Sequence, residues 1–312
     1  MKQKVGVVLY LSTALIFVLP PESYFHDILQ SFAVQAMIGY LLIGLLAALF
    51  HRMVTTGASL SAALLIACGL YMAQSFNVGS TANIKAYEGD TIVRVAHFNV
   101  LCNNSQFKKT ISSALATKAD LLSFQEVTAQ WGEELEKRLS EEYPYSHIVT
   151  YEQEPGRGLA VFSRYPLENL QTIYWEGLPN IAGDLQLQDK TIHFLASHTL
   201  SPRSRWRYRQ RNEHIRQIAR YIKTVDDPVL AIGDFNVVPW NPVIQELRAT
   251  THLQDSHTGW APTFPARLQS IGIPIDYIFH SRDFYCKKFE ALPSFGSDHR
   301  GVVGEYLLKS KG

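Results

Sequence analysis

Isolated carboxylates, amides and imidazoles stand at the ends of short apolar runs in this sequence, where reacting groups can be held on the tips of rigid elements. Asn99 closes one run just before Val100, and Glu126 follows Ser123-Phe124-Gln125. His198 ends Leu195-Ala196-Ser197-His198, while Asp234 and Asn236 share Ile232-Gly233-Asp234-Phe235-Asn236. Asp276 opens Asp276-Tyr277-Ile278-Phe279, and Asp298-His299 lie in Gly296-Ser297-Asp298-His299-Arg300. Taken singly, each has a plain structural reading: Asp234 as a turn residue after Gly233, Glu126 as a charge at a helix N-terminus, His198 as a satisfied core histidine. Together they form a set. The donors Asn99, Glu126 and Asp298 suit a hard divalent cation such as Mg²⁺, with Mn²⁺ as the alternative, because that cation takes one or two carboxylates and keeps much of its water. Two histidines with Asp234 and Asp276 then supply proton transfer and charge stabilisation.

A cation at such a site implies an anionic substrate, and the sequence offers arginines for it. Arg203, Arg205, Arg207, Arg209, Arg211, Arg216 and Arg220 follow His198 closely, with Trp206 and Tyr208 interleaved. Such a segment could hold a phosphodiester backbone or anionic lipid headgroups; the plain alternative is a solvated helix face paired with carboxylates elsewhere. Arg203 to Arg211 carries no acidic residue, so Arg203 and Arg205 are the better substrate-binding candidates, together with Arg157 in Gly156-Arg157-Gly158.

The elements that must position these groups alternate between strand and helix. Strands are expected at Thr91 to Val100, Asp120 to Phe124, Ser146 to Thr150, Leu159 to Ser163, Gln171 to Trp175, Ile181 to Leu187 and Thr191 to Ser197. Val229 to Ile232, Ile275 to His280, Phe284 to Phe289 and Gly301 to Leu308 complete them. Helices are expected at Ser105 to Lys118 and Arg203 to Lys223, the second with Ile215, Ile218, Ala219 and Ile222 at i, i+3, i+4, i+7. Many strands with inserted helices imply sheets packed face to face under covering helices.

The first part of the chain is different. Up to Gly79 only Lys2, Lys4, Glu22, Asp27 and Arg52 are charged, whereas the remainder holds 26 basic and 26 acidic residues, so the net charge of +1 and the mean hydropathy of −0.04 average two unlike parts. The balance excludes a disordered chain and a globally basic nucleic-acid binder. Three apolar runs stand out: Val5 to Leu19, Ile28 to Phe50 and Met53 to Phe76. The last two are long enough, at about 1.5 Å per residue, to cross a hydrocarbon core of roughly 30 Å. The first is shorter and fits either the apolar part of a signal peptide behind Met1-Lys2-Gln3-Lys4 or a span; with no small-residue cleavage site after it, the uncleaved span is the favoured reading. The expectation is therefore three transmembrane helices over 1–76, a linker over 77–90 and a catalytic domain over 91–309. Lys2, Lys4 and Arg52 fall on one side of the bilayer by the positive-inside rule, which puts the large domain on the periplasmic or extracellular face of an inner or plasma membrane. Cys68 falls in a span, and Cys102 and Cys286 are either a disulfide or two separate thiols.

In order along the chain, Phe98-Asn99-Val100, Gln125-Glu126, Ser197-His198-Thr199-Leu200-Ser201-Pro202, Gly233-Asp234-Phe235-Asn236, Ile275-Asp276-Tyr277-Ile278-Phe279 and Ser297-Asp298-His299-Arg300 resemble the motifs of the endonuclease/exonuclease/phosphatase superfamily. Gly156 to Leu167 adds a further matching segment. The resemblance spans roughly 70% of the chain, leaving the apolar leader outside it. It implies a four-layer α/β sandwich of two mainly antiparallel sheets with the site at one end, and metal-dependent cleavage of phosphate esters. Carried over residue by residue, it makes Glu126 the main metal ligand, with Asn99 and Asp298 beside it. Asp234 orients or deprotonates the attacking water, and Asn236 donates to phosphoryl oxygens. His299, held by Asp276, stabilises charge in the transition state, and His198 serves the leaving group or a nonbridging oxygen. His198 favours the nuclease I and sphingomyelinase side of the superfamily, and the inositol phosphatase cues around Asp234 and Asp276 are missing. The expected partners are thus the lipid bilayer and a phosphoester: a nucleic acid or nucleotide, or a phospholipid.

Overall fold

A computed structural model of the chain describes residues 2–74, 91–151, 154–257 and 259–309. The expected linker over 77–90 lies outside them. Strand-forming runs in the second part of the chain assemble into two six-stranded sheets. The first has the order β11 (Phe284–Ala291), β12 (Val302–Leu308), β1 (Thr91–Asn99), β2 (Leu121–Gln125), β4 (Leu159–Ser163), β3 (Tyr145–Val149). The second has the order β5 (Leu167–Trp175), β6 (Leu178–Leu187), β7 (Lys190–Ser197), β8 (Val229–Asp234), β10 (Asp276–His280), β9 (Gln254–Asp255). The inner faces meet in one core, with Val93, Val95, Leu121 and Val161 from the first sheet against Ile181, Phe194, Leu230, Ile232 and Ile278 from the second.

Helices cover both outer faces, which completes four layers. α5 (Phe107–Ala116) and α6 (Ala129–Leu139) lay Ile111, Ala114, Trp131, Leu135 and Leu139 on the first sheet. α7 (Arg205–Ile222) and α8 (Pro242–Thr251) lay Ile215, Ile218, Ile222, Val243, Ile244 and Leu247 on the second. Because both faces are covered, β4, β8 and β10 are buried along their whole length, so they read as continuous apolar runs rather than as alternations. The helices α6 and α8 are additions to the sequence expectation. Both start at capped positions, Thr128 accepting from Trp131 N and Asn241 from Val243 N, and Pro242 suits a first helical position. Cys102 and Cys286 are separate thiols.

The parallel pairs β1/β2 and β7/β8 bring four strand C-termini to one rim. β10 runs antiparallel to β8 with Asp276 in register with Asp234, so its first residue joins the same rim. The loop before β12 also arrives there, since Val302 pairs with His97 near the end of β1.

The leader departs from the three-span expectation. The first run forms α1 (Lys2–Leu15), whose apolar stretch Val5–Leu15 would extend about 16 Å, well short of a hydrocarbon core. The second run is broken at Phe32 into α2 (Tyr24–Ser31) and α3 (Ala33–Leu49), bent by 60°. Among the described residues, only α4 (Met53–Gln74) contains a helix of spanning length and composition, Met53–Ala73; the α2–α3 pair makes a second if the bent helices count as one span. The break has a physical cause in α2, whose Asp27 and Gln30 are buried against the second part of the chain. Ala33, Ala62, Ile66 and Ala14 pack with Val238, Trp240 and Ile275 in a shared apolar cluster, so the leader and the sandwich are joined by a core of their own.

Candidate active site

The rim gathers the polar strand ends, and one cross-sheet tie sets their spacing. Gln125, the last residue of β2, accepts from Asp234 N (2.8 Å) and donates to the Ser197 carbonyl, so it fastens the first sheet to the ends of β7 and β8. Gly233 allows this approach: a Cβ there would overlap both the Ser197 carbonyl and the Gln125 amide. Immediately after Gln125 the backbone turns into the left-handed region at Glu126 (φ 61°), and Asn236 does the same after β8 (φ 50°). Such conformations persist only where surrounding bonds hold them. At Glu126 the holders are Asn99 Nδ2, donating to Oε1 (3.2 Å), and Cys102 N, donating to Oε2 (3.1 Å).

Asn99 is buried and central. Its Nδ2 also donates to Asp234 Oδ2 (3.2 Å), while its Oδ1 accepts from Leu101 N (3.1 Å) and keeps a second lone pair. Asp234 Oδ1 accepts from Asn236 N (2.8 Å), and Asn236 Nδ2 donates to the Thr199 carbonyl (2.9 Å) with His198 Nε2 3.5 Å away. Asp234 Oδ2 also faces two imidazoles, His299 Nε2 at 3.6 Å and His198 Nε2 at 3.7 Å. Behind His299 sits Asp276, fully buried, with Oδ2 2.9 Å from His299 Nδ1 and Oδ1 3.1 Å from His97 Nε2.

The electrostatics follow from that sandwiching. Burial alone would disfavour a charged His299, but the carboxylates of Asp276 and Asp234 on either side outweigh it and lift its pKa to about 10. Asp276 is held below the usual carboxylate range despite its burial, because His299 and His97 face its two oxygens. For Asp234, burial and the neighbouring Asp276 charge prevail over the His299 imidazolium and the amide donors and raise it to about 8. Burial lowers His198 to about 4, Glu126 opposing and His299 reinforcing the effect, so it stands neutral at pH 7.

Asp234, Asp276 and His299 lie close enough to share an ion. Yet both Asp276 oxygens are engaged by imidazoles, so this trio is an imidazolium between two carboxylates. A metal fits better at the cleft side of Glu126. There Glu126 and Asp298 line the cleft with carboxylate oxygens, the Asn99 amide lies directly behind Glu126 with Nδ2 toward it, and among the described residues no ion pair engages Glu126. That donor set is the one a hard divalent cation takes.

The site opens into a cleft of about 480 Å³. Glu126, His198, Asp234, Asn236, Asp298 and His299 line it, with Asn99 and Asp276 buried just behind. Of the expected substrate-binding arginines, Arg157 and Arg203 line the cleft and Arg205 does not; Arg207 stands there instead. The rest of the basic helix divides. Arg216 and Arg220 pair with Glu213 and Glu246, and Arg211 is buried. Sequence reasoning also passed over His97 and gave Gln125 no role. Their signals were present: His97 is two residues before Asn99 on the same strand face, and Gln125 adjoins Glu126.

Comparisons place this geometry among known proteins. Solved structures sharing the fold include an endonuclease/exonuclease/phosphatase family protein from Bacteroides thetaiotaomicron, 18% identical with a TM-score of 0.60, covering 71% of this chain and 100% of that one. Another, from Beutenbergia cavernae DSM 12333, is 22% identical with a TM-score of 0.57, covering 70% and 72%. Sphingomyelinase C from Streptomyces griseocarneus is 16% identical with a TM-score of 0.56, covering 69% and 99%. D. rerio TDP2, in complex with a single-strand DNA product, is 15% identical with a TM-score of 0.58, covering 70% and 99%. No curated protein matches the sequence. Residues 96–299 match the profile described as the Endonuclease/Exonuclease/phosphatase family, which is well over half of the chain. The chain therefore belongs to the endonuclease/exonuclease/phosphatase family of metal-dependent phosphoester hydrolases.

Proposed function

We propose that the protein is a membrane-anchored, Mg²⁺-dependent phosphodiesterase that cleaves a phosphodiester by in-line attack of water. The observation that carries the reading is the pairing, across one cleft, of the Glu126 and Asp298 carboxylates, backed by the Asn99 amide, with the Asp276–His299–Asp234 array. A divalent cation held by the first set would draw negative charge from the phosphoryl oxygens. Asp234, with a pKa near 8, is matched to taking a proton from the attacking water close to neutral pH. His299, fixed as a cation by Asp276, presents positive charge where the pentavalent transition state gathers negative charge. Asn236 Nδ2 and neutral His198 supply N–H donors for a nonbridging oxygen, and the negative charge of an arriving phosphodiester would raise the proton affinity of His198 for the leaving group. Arg157, Arg203 and Arg207 form the cationic rim.

Membrane anchoring is supported by apolar surface that water would not tolerate. Leu42, Leu45, Leu46 and Leu49 on α3 and Leu64 on α4 are each more than half exposed. Arg52 sits in the turn at one end of the α3–α4 pair and the sandwich packs at the other, which under the positive-inside rule puts the catalytic domain on the outer face. This placement favours a second substrate reading, a phospholipid, because Phe264 and Ile275 both line the cleft and pack in the cluster shared with the leader. The test offers the full-length chain in detergent, with Mg²⁺ or EDTA, plasmid DNA, RNA, bis-p-nitrophenyl phosphate and sphingomyelin. EDTA-sensitive turnover of at least one diester is expected, and the preferred one names the class. No EDTA-sensitive turnover of any phosphoester overturns the reading.

A further inference from the structure

Arg211 is the exception on the basic helix: its neighbours meet solvent, the cleft or surface carboxylates, whereas it is fully buried. Its partner comes from the leader. Arg211 Nη1 donates to Asp27 Oδ2 (2.9 Å) and Nη2 to Asp27 Oδ1 (2.8 Å), a bidentate pair between α7 and α2, and Asp27 is equally buried. Arg211 Nη1 also donates to the backbone carbonyl of Asn236 (3.0 Å). The same leader carboxylate accepts from Asn241 Nδ2 (2.8 Å), and Trp240 Nε1 donates to the Gln30 carbonyl on α2 (2.8 Å). The loop from Asn236 to Asn241 is thus held at both ends, through Arg211 at its start and directly at its finish, by one turn of the leader.

We propose that Asp27 is a positioning residue of the active site, acting through Arg211 on Asn236. Asn236 has a backbone conformation that must be held from outside, its N–H fixes the Asp234 carboxylate, and its amide faces His198 in the cleft. Without Asp27, Arg211 would keep only neutral partners, Asn212 Oδ1, the Asn236 carbonyl and the Tyr208 ring. A buried guanidinium left so would move toward water or draw water in, releasing the carbonyl it now holds. The apolar leader is then a working part of the catalytic machinery as well as an anchor. This inference rests on the phosphodiesterase reading of the site.

The test uses the full-length chain in detergent with Mg²⁺ and bis-p-nitrophenyl phosphate. In Asp27→Leu/Arg211→Met both charges are removed together, a change that buried pairs commonly tolerate without loss of stability. The expected result is a melting temperature within a few degrees of wild type, kcat lower by about 10- to 100-fold, and KM within about threefold. Should that variant melt early, Asp27→Asn, which keeps the shape and is assayed below its own lowered melting temperature, carries the same expectation for kcat and KM. Gln35→Ala is the docking control: Gln35 Nε2 bonds the Ile271 (2.7 Å) and Gly272 (3.0 Å) carbonyls without touching Asn236, so its kcat should match wild type. Adding Asn236→Ala to the double variant should cost little more than Asn236→Ala alone, because both act at one point. A folded variant that keeps wild-type kcat, an equal loss in Gln35→Ala, or fully additive losses would each overturn the proposal alone. A wild-type chain that turns over no phosphoester overturns the functional reading, and this inference with it.

Discussion

Replacing Asp276 by asparagine removes one negative charge from behind His299 while leaving an oxygen in place to accept from Nδ1. His299 has a pKa near 10 because Asp276, 2.9 Å from Nδ1, and Asp234, 3.6 Å from Nε2, together overcome burial. An opposite charge at such range is worth about one to three pH units, so Asp276→Asn should bring His299 down to about 8. In the proposed mechanism His299 works as a cation, and therefore activity should be retained below its pKa and lost above it. At pH 9 the cationic fraction would fall from roughly nine-tenths to roughly one-tenth, about a tenfold loss at that pH beyond any loss seen at pH 7. Removing Asp276 also withdraws a charge that raises Asp234, so the acidic limb should move to lower pH as well. The assay is kcat for bis-p-nitrophenyl phosphate from pH 6 to 10.5 at saturating Mg²⁺, wild type against variant. A wild-type profile should rise through about 8 and fall near 10. If the alkaline limb stays in place in Asp276→Asn, His299 does not act as an imidazolium held by Asp276, and the assignment of charge stabilisation to it is wrong.

Three further outcomes follow from the geometry. Glu126→Gln keeps the shape of the side chain but removes its charge, so the Mg²⁺ or Mn²⁺ dissociation constant measured by calorimetry should rise by at least about tenfold; an unchanged constant would move the metal elsewhere. Arg207→Ala should raise KM for a diester with kcat little changed, whereas Arg205→Ala should leave both alone, and equal effects would refute the division of the basic helix. Gly233→Ala forces a methyl into the Gln125–Ser197 tie; it should cost at least about 2 kcal/mol and lower Tm by roughly 4–8 °C in a thermal melt, with neutrality refuting the tie.

The two sheets are legible because both faces of their strands are covered, which leaves apolar runs that stand out from the sequence, with the polar groups marked at the run ends. What sequence could not supply was helix register and long-range pairing. Arg205 was preferred over Arg207 because both sit in one basic run. Ser204 decides between them: it caps α7, accepting from Arg207 N, and thereby fixes which arginines share a face. Arg207 and Arg211, one turn apart, point inward; Arg205 and Arg209 do not. His97 escaped notice because its interest lies in Asp276, 179 positions away, a partner no local pattern reveals. The helices α6 and α8 are short and half polar, and only their caps announced them.

The leader gives the sharpest case of a local reading decided elsewhere. Hydropathy adds residues along a window, so Ile28 to Phe50 scores as a single span and Asp27 as a loop charge at its edge. The structure makes Asp27 the buried partner of Arg211, 184 positions later, and the two observations have one cause. A guanidinium buried between α7 and the leader needs a carboxylate, and α2 is the element that delivers it. To do so α2 must lie with Asp27 and Gln30 turned to the sandwich, and that orientation cannot continue into α3, whose leucines face outward. The 60° bend at Phe32 is where the two demands meet. Removing the guanidinium should therefore free the bend as well as the active-site loop. In Arg211→Met/Asp27→Leu, spin labels on α2 and α3 should report a wider distribution of interhelix distances than in the wild-type chain. A distribution as narrow as wild type would mean that the bend is set within the leader itself.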